Sequence, residues 1–330
     1  MIIKNDITIL DYMFSGCKSL VNIDELKNID LYNIKSIKNL FYECESLENI
    51  KVLQNLNVSK CDDLSRVFHG CKSLTDISPL KYWNVSYCTN FSGMFYGCES
   101  LFDITPLKDW NVSKSKDFSK MFNNDKSLSE IYALVKWNVS NSKTFYSMFY
   151  GCSFSYLNGI KTWNVSNCEN FSEMFYECSL LSDLRPIQNW DVSNGKDFGD
   201  MFSDLRKLND LRPLQNWDVS KSKRFQGMFY DCYQLSDLRP LQNWNVSNCE
   251  NFNATFYNLI YLKDLSPLRN WNVSKCTNFY CMFGSCRSLS DVSPLINWNL
   301  KHIFLYDCKE MFKECNVDEK NIAQFNCRKY

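Results

Sequence analysis

All nine tryptophans of this chain stand at one point of a repeated unit: Trp83, Trp110, Trp137, Trp163, Trp190, Trp217, Trp244, Trp271 and Trp298. The eight intervals between them are 27 residues long, except one of 26. Self-similarity at such a period is the signature of a solenoid, whose repeats bury apolar surface only by stacking on their neighbours. The spacing limits the fold to a tandem array and places function on an extended surface rather than in a pocket.

The phenylalanine of a recurrent Met-Phe pair extends the register, as Phe14, Phe41, Phe68, Phe95, Phe122, Phe149, Phe175, Phe202, Phe229, Phe256, Phe283 and Phe312, or about eleven repeats. Length alone would allow two domains, but an array lengthens without a domain break. The expected organisation is one repeat array over residues 1–315 and a C-terminal cap over 316–330, where Val317, Ile322 and Phe325 could cover the final turn.

Within one unit Phe91, Met94, Phe95 and Cys98 follow the i, i+3, i+4, i+7 spacing and predict a short amphipathic helix with Asn90 as its N-cap. The capping position recurs as Asp63, Asp117, Thr144, Asn170, Asp197, Asn251 and Asn278, with Arg224 as the misfit. Gly97, echoed by Gly70 and Gly151, falls where so short a helix would stop. Leu101, Ile104 and Leu107 then step by three, and a strand of three to four residues is expected around 102–105. All seven prolines share one position, Pro79, Pro106, Pro186, Pro213, Pro240, Pro267 and Pro294, where a residue unable to donate to a ladder should close that strand. Trp83 and Val85 alternate beyond it, as in a second short extended segment. The fold class is an α/β repeat with short parallel strands and one short helix per unit.

The block Met-Phe-Tyr-Gly-Cys-Glu-Ser-Leu from Met94 to Leu101, followed by Trp110-Asn111-Val112-Ser113 and Phe118-Ser119-Lys120-Met121-Phe122, resembles the BspA-like leucine-rich repeats of surface proteins. The resemblance covers nearly the whole chain. It implies a right-handed, leucine-rich-repeat-like solenoid used for adhesion or protein binding, with no catalytic residues to carry over. The chain departs from the family in the proline-containing step after Ile104 and in showing no export signal.

Lys plus Arg and Asp plus Glu each number 37, so no net field steers the chain toward nucleic acid or an anionic membrane. No stretch is apolar enough for membrane insertion. Met1 to Phe14 lacks a signal-peptide core, and seventeen cysteines without an export signal point to reduced thiols in a cytoplasmic compartment. A missing upstream leader would instead place the chain at the cell surface. The first unit opens near Leu10 with little before it, so Met1 to Ile9 folds over the open end, the chain is a piece of a longer one, or that end self-associates.

Nine cysteines lie three residues after the repeat phenylalanine, Cys17, Cys44, Cys71, Cys98, Cys152, Cys178, Cys232, Cys286 and Cys315, and five lie five after the tryptophan position, Cys61, Cys88, Cys168, Cys249 and Cys276. Leu259 stands in the first column and Ser142 and Ser222 in the second, so obligate pairs such as Cys61 with Cys71 are disfavoured against core thiols. Cys276, Cys281 and Cys286 make a weak metal pattern, and His69 and His302 are too few for a nucleophilic or metal centre, so no cofactor, metal or catalytic residue is assigned. His69 replaces a repeat tyrosine and is expected at the surface.

An acidic column, Asp76, Asp103, Glu130, Asp183, Asp210, Asp237, Asp264 and Asp291, would repel itself if stacked. Arg185, Arg212 and Arg239, two residues after Asp183, Asp210 and Asp237, offset this on the same strand face, while elsewhere the aspartate accepts turn hydrogen bonds or joins a calcium ladder. A second column, Tyr42, Tyr96, Tyr150, Tyr176, Tyr230 and Tyr257, reads as packing at the helix edge or as an aromatic stripe. Asn-Val-Ser recurs at Asn57, Asn84, Asn111, Asn138, Asn164, Asn245 and Asn272; replacement by Asp191 and Asp218 points to turn hydrogen bonding rather than glycosylation. The leading reading is a non-enzymatic protein-interaction scaffold whose binding residues are Asp183, Arg185, Asp210, Arg212, Asp237, Arg239, Tyr150, Tyr176, Tyr230 and Tyr257. A surface adhesin and a thiol- or metal-dependent sensor or enzyme are the alternatives.

Overall fold

The structure, a computed structural model, describes residues 7–28 and 31–328. It resolves into two compact units, Met1–Asn167 and Cys168–Tyr330, each a stack of repeats. The first six residues of the expected N-terminal cover lie outside the described residues, while Ile9 pairs with Ser36 in a parallel bridge.

The segment expected to be a helix is a ribbon of turns. From Phe91 onward every second amide leaves the repeat: the N–H groups of Phe91, Gly93, Phe95 and Gly97 donate to the carbonyls of Asp117, Ser119, Met121 and Asn123 at 2.7–2.9 Å. The amides between them close turns on their own repeat, Met94 to Phe91, Tyr96 to Gly93 and Cys98 to Phe95. Gly93 and Gly97 hold φ of 58° and 67°, which a right-handed helix excludes. A helix is about 10 Å across, whereas hydrogen-bonded neighbours lie about 4.8 Å apart. One helix per repeat would have to splay the stack on that side.

The parallel pairing occurs where a helix cap was expected. Single-residue bridges join Asp63, Asn90, Asp117 and Thr144 in the first unit, and Asn170, Asp197, Arg224, Asn251 and Asn278 in the second. The capping chemistry persists at this site: Asn90 Oδ1 accepts from the Ser92 N–H at 2.9 Å and Asp117 Oδ1 from Ser119 at 2.7 Å. Arg224, the misfit, instead extends its Nε to Asp197 Oδ2 at 2.8 Å. No extended strand forms at 102–105, and the prolines do not close one. They occupy the first turn of 3-10 helices such as Ser78–Tyr82, Thr105–Leu107 and Arg212–Leu214, where their fixed φ is already suited to the turn.

Aromatic columns run through each core. Phe41, Phe68, Phe95, Phe122 and Phe149 stack in sequence with centroids 5.7–5.9 Å apart in the first unit, and Phe175 through Phe312 do so at 5.5–6.0 Å in the second. The tryptophans are 2–5 % exposed. Each described indole bond reaches back one repeat, as Trp83 Nε1 does to the Leu53 carbonyl at 2.9 Å and Trp244 to Leu214 at 3.0 Å. Leu56 fills the tryptophan slot in an early repeat and is equally buried.

The cysteine columns have a similar explanation. Thiols of Cys71, Cys98 and Cys152 donate to the carbonyls of Phe41, Phe68 and Phe122, and Cys232 to Phe202, at 3.0–3.3 Å. In the other column Cys88 and Cys276 bond the carbonyls of Asn90 and Asn278. Cys61, Cys71, Cys88 and Cys98 are free, buried thiols rather than intra-repeat disulfides. The exception to an all-thiol chain is Cys308–Cys327, which form a disulfide.

That disulfide lies where the repeat changes. α1, Leu305–Glu310, and α2, Glu319–Ile322, are the α-helices among the described residues. Phe304 pairs with Arg328 in a parallel bridge, and Phe325 stacks on Phe312 at 5.9 Å. Ile322 and Phe325 are buried, whereas Val317 is half-buried.

Two positions break the pattern informatively. In the 26-residue repeat Phe154 fills the leucine slot and meets Phe149 edge-on at 5.4 Å. The shortened chain brings Gly159 against its neighbour, where a Cβ would overlap the Ile131 carbonyl. Gly159→Ala should therefore destabilise the first unit by about 1–3 kcal/mol; an unchanged urea midpoint would remove this account.

Asp125 occupies the cysteine slot between Cys98 and Cys152 and is fully buried. Its Oδ1 accepts from the Cys98 N–H at 2.8 Å, and its Oδ2 has no partner. Burial pushes this carboxyl well above the usual range, against the smaller opposite pull of the Cys98 N–H. A raised carboxyl favours the fold fully below the ordinary carboxylate value, and that support is lost as pH rises through the interval up to the folded value. Asp125→Asn should stabilise the protein by about 1–3 kcal/mol at pH 8 and by much less at pH 4. An equal gain at both pH values in chemical denaturation would contradict it.

Candidate interaction surfaces

The Asp-x-Arg-Pro motif folds into a ledge because aspartate, turn and proline cooperate. Asp183, Asp210 and Asp237 accept the backbone N–H of Arg185, Arg212 and Arg239 at 2.9 Å, which starts the 3-10 helix that the proline then continues. The same turn bond forms at Asp76, Asp103, Asp264 and Asp291, whose partners are serine or threonine. Each arginine then doubles back on its own aspartate, with Nε–Oδ1 at 2.9 Å and Nη2–Oδ2 at 2.8 Å. These contacts replace the expected strand face: aspartate and arginine meet across a turn.

The arginine side chains are 76–78 % exposed and their aspartates 29–41 %. The guanidinium contact holds all three carboxyls below their usual range, so the pairs persist at neutral pH and open only on acidification. Exposed pairs add little to stability. They do hold each guanidinium against its own aspartate while most of the side chain stays in solvent. Between the second and third pairs lies a groove of about 350 Å³, also lined by Asn209, Leu211 and Pro240.

The tyrosine column is less exposed than the arginines of the ledge. Tyr150, Tyr176, Tyr230 and Tyr257 are all half-buried on the turn ribbon. Tyr230 and Tyr257 lie face to face with centroids 4.8 Å apart, so one face of each ring is covered by the other. Burial raises the Tyr176 hydroxyl to about 12, with Asp204 the next cause. His69 belongs to this column and is half-buried rather than fully exposed: it is stacked between Tyr42 and Tyr96 at 4.5 and 4.3 Å. The imidazole fills a ring-shaped slot, a role that its isolated substitution in the sequence does not reveal.

Among the described residues no group of three His, Cys, Asp or Glu side chains is placed to hold a metal ion. Burial raises the thiols of Cys88 and Cys61 to about 12, well away from nucleophilic range. No helix among the described residues is long and apolar enough to cross a membrane.

Turn ribbons, single-residue parallel bridges and stacked ring columns define a tandem-repeat solenoid protein. The chain belongs to the family described as Mycoplasma protein of unknown function, DUF285, which matches residues 8–131, 77–183, 152–266 and 235–330. No curated protein matches it. Among solved structures it is similar to a leucine-rich repeat protein from Bacteroides ovatus, at 12 % identity over 98 % of this chain and 87 % of that one, with a TM-score of 0.35. An LRR protein of Leptospira interrogans is similar at 9 % identity over 94 % and 81 % of the two chains, with a TM-score of 0.31.

Proposed function

We propose that this chain is a non-enzymatic scaffold that binds a protein partner along the Asp-x-Arg-Pro ledge, on a right-handed solenoid of the BspA-like kind with residues 316–330 as its cap. The observation that carries the reading is the immobilised arginine series Arg185, Arg212 and Arg239. Three exposed guanidinium groups, each clamped by two contacts from its own aspartate, lose little further freedom when a partner engages their outer donors. Arginine is enriched among residues that dominate interfaces. Tyr176, Tyr230 and Tyr257, half-buried on the turn ribbon of the same unit, are the less exposed candidates for this reading.

Serine is the natural alternative at the arginine position, as in Ser78, Ser266 and Ser293, so the triple variant Arg185→Ser, Arg212→Ser, Arg239→Ser keeps the turn. It should fold normally and lose a partner captured by the unaltered chain, by about tenfold or more in affinity. Undiminished capture would refute the ledge.

A surface-displayed adhesin is the second reading, supported by the Cys308–Cys327 disulfide, since such bonds persist mainly in oxidising compartments. The leading reading is cytoplasmic. Denaturation without reductant in the presence of excess alkylating agent, which exposes the buried thiols to the reagent, separates them. Seventeen reactive thiols match the reducing compartment, and fifteen match the bridged form.

A further inference from the structure

The turn ribbon of the first unit carries a notch that the arginine ledge does not use. One left-handed position holds Arg66, Gly93 and Lys120 in successive repeats, at φ of 56°, 58° and 59°. Glycine between two cations lets their neighbours close in, since a Cβ there would stand 3.3 Å from Arg66 Cγ and 3.6 Å from His69 Nδ1. The cavity beside them measures about 510 Å³ and is lined by Tyr42, Tyr96 and Tyr146. His69 Nδ1 is buried and has no hydrogen-bond partner. Arg66 is exposed and forms no ion pair among the described residues. Lys120 Nζ lies 5.1 Å from the centre of the Tyr146 ring.

We propose that this notch receives a carboxylate side chain from an acidic segment of a protein partner. The proposal rests on the scaffold reading and names the chemistry of one contact. Arg66 and Lys120 supply the charge, from positions two repeats and about 10 Å apart, and the tyrosine walls supply contact area for the peptide. Burial, then Arg66 and Lys120, lower His69 to about 4 against the upward pull of Glu43, so its ring is neutral at pH 7 and offers one donor to the incoming oxygen.

A phosphate fits less well. Phosphate sites lean on unoccupied backbone N–H groups, and those of Arg66, Gly93 and Lys120 are already committed to the carbonyls of Ser92, Ser119 and Tyr146. Asp117 also lines the cavity and disfavours a second negative charge, although its Oδ1 is occupied by the Ser119 N–H.

The test uses the intact chain with three probes: a tetraglutamate peptide, a tetraglutamine peptide and inorganic phosphate. Imidazole NMR follows His69, with His302→Asn assigning the second histidine. Tetraglutamate should raise the His69 pKa by about one unit or more, because a bound carboxylate favours the imidazolium; tetraglutamine should not. The Arg66→Ala, Lys120→Ala pair should weaken tetraglutamate by about tenfold. Gly93→Asp places a carboxylate in the notch itself, at a backbone conformation that Asp200 and Asp204 adopt elsewhere with φ of 53° and 59°. That variant should raise His69 without peptide and block the peptide. A His69 resonance indifferent to tetraglutamate, an affinity unmoved by the double substitution, or phosphate binding as tight as the peptide would each overturn the proposal. Partner capture that still depends on Arg185, Arg212 and Arg239 would leave the scaffold standing while the notch falls.

Discussion

The alternating use of backbone amides on the turn ribbon is the constraint from which the rest of each unit follows. Half the N–H groups bind the next repeat and half close turns within their own, so the ribbon satisfies its polar backbone while holding neighbours at hydrogen-bonding distance. That pitch dictates ring spacing, and the phenylalanine columns obey it at about 5.3–6.1 Å. It also dictates left-handed residues at two positions per ribbon, where glycine, asparagine, aspartate and glutamate recur.

Side-chain donors extend the same logic into the core. An indole N–H and a thiol each reach a carbonyl of the preceding repeat, so tryptophan and cysteine are selected for a polar atom as well as for bulk. The thiol contact is the weaker of the two, and Leu205 and Leu259 replace it with apolar volume at no exposure. Asp125 tests the limit of this tolerance, because it brings a carboxyl into a slot shaped for a neutral side chain.

Outside the core, three repeat positions use aspartate or asparagine for one purpose. Asp63, Asp76 and Asn84 each accept the N–H two residues onward, and their counterparts do the same through both units. The aspartates of the acidic column therefore offset their mutual repulsion by turning each carboxylate onto its own backbone. Arginine at Arg185, Arg212 and Arg239 is an addition to that turn, not a requirement of it, because serine at Ser78, Ser266 and Ser293 forms the same turn. The notch around Gly93 was hidden from the sequence for a related reason: Arg66 and Lys120 share a column with glycine, serine and alanine, and only backbone conformation shows that the column lines a cavity.

The period, the burial of the tryptophan and phenylalanine columns, and the turn role of the Asn-Val-Ser asparagine were legible in the residues, because repetition turns each substitution into a comparison at a constant position. Leu56 for tryptophan and Asp191 for asparagine reveal what a slot needs without a structure. Secondary structure was not legible in this way. The i, i+3, i+4, i+7 spacing of Phe91, Met94, Phe95 and Cys98 describes a face, and a ribbon of turns buries the same face as a helix. Which one forms depends on where the alternate amides find acceptors, and those acceptors lie 26 residues away in the next repeat, beyond the reach of any local pattern. The pairing of Cys308 with Cys327 and the stacking of His69 between two tyrosines depend likewise on neighbours that only the stacked chain brings together.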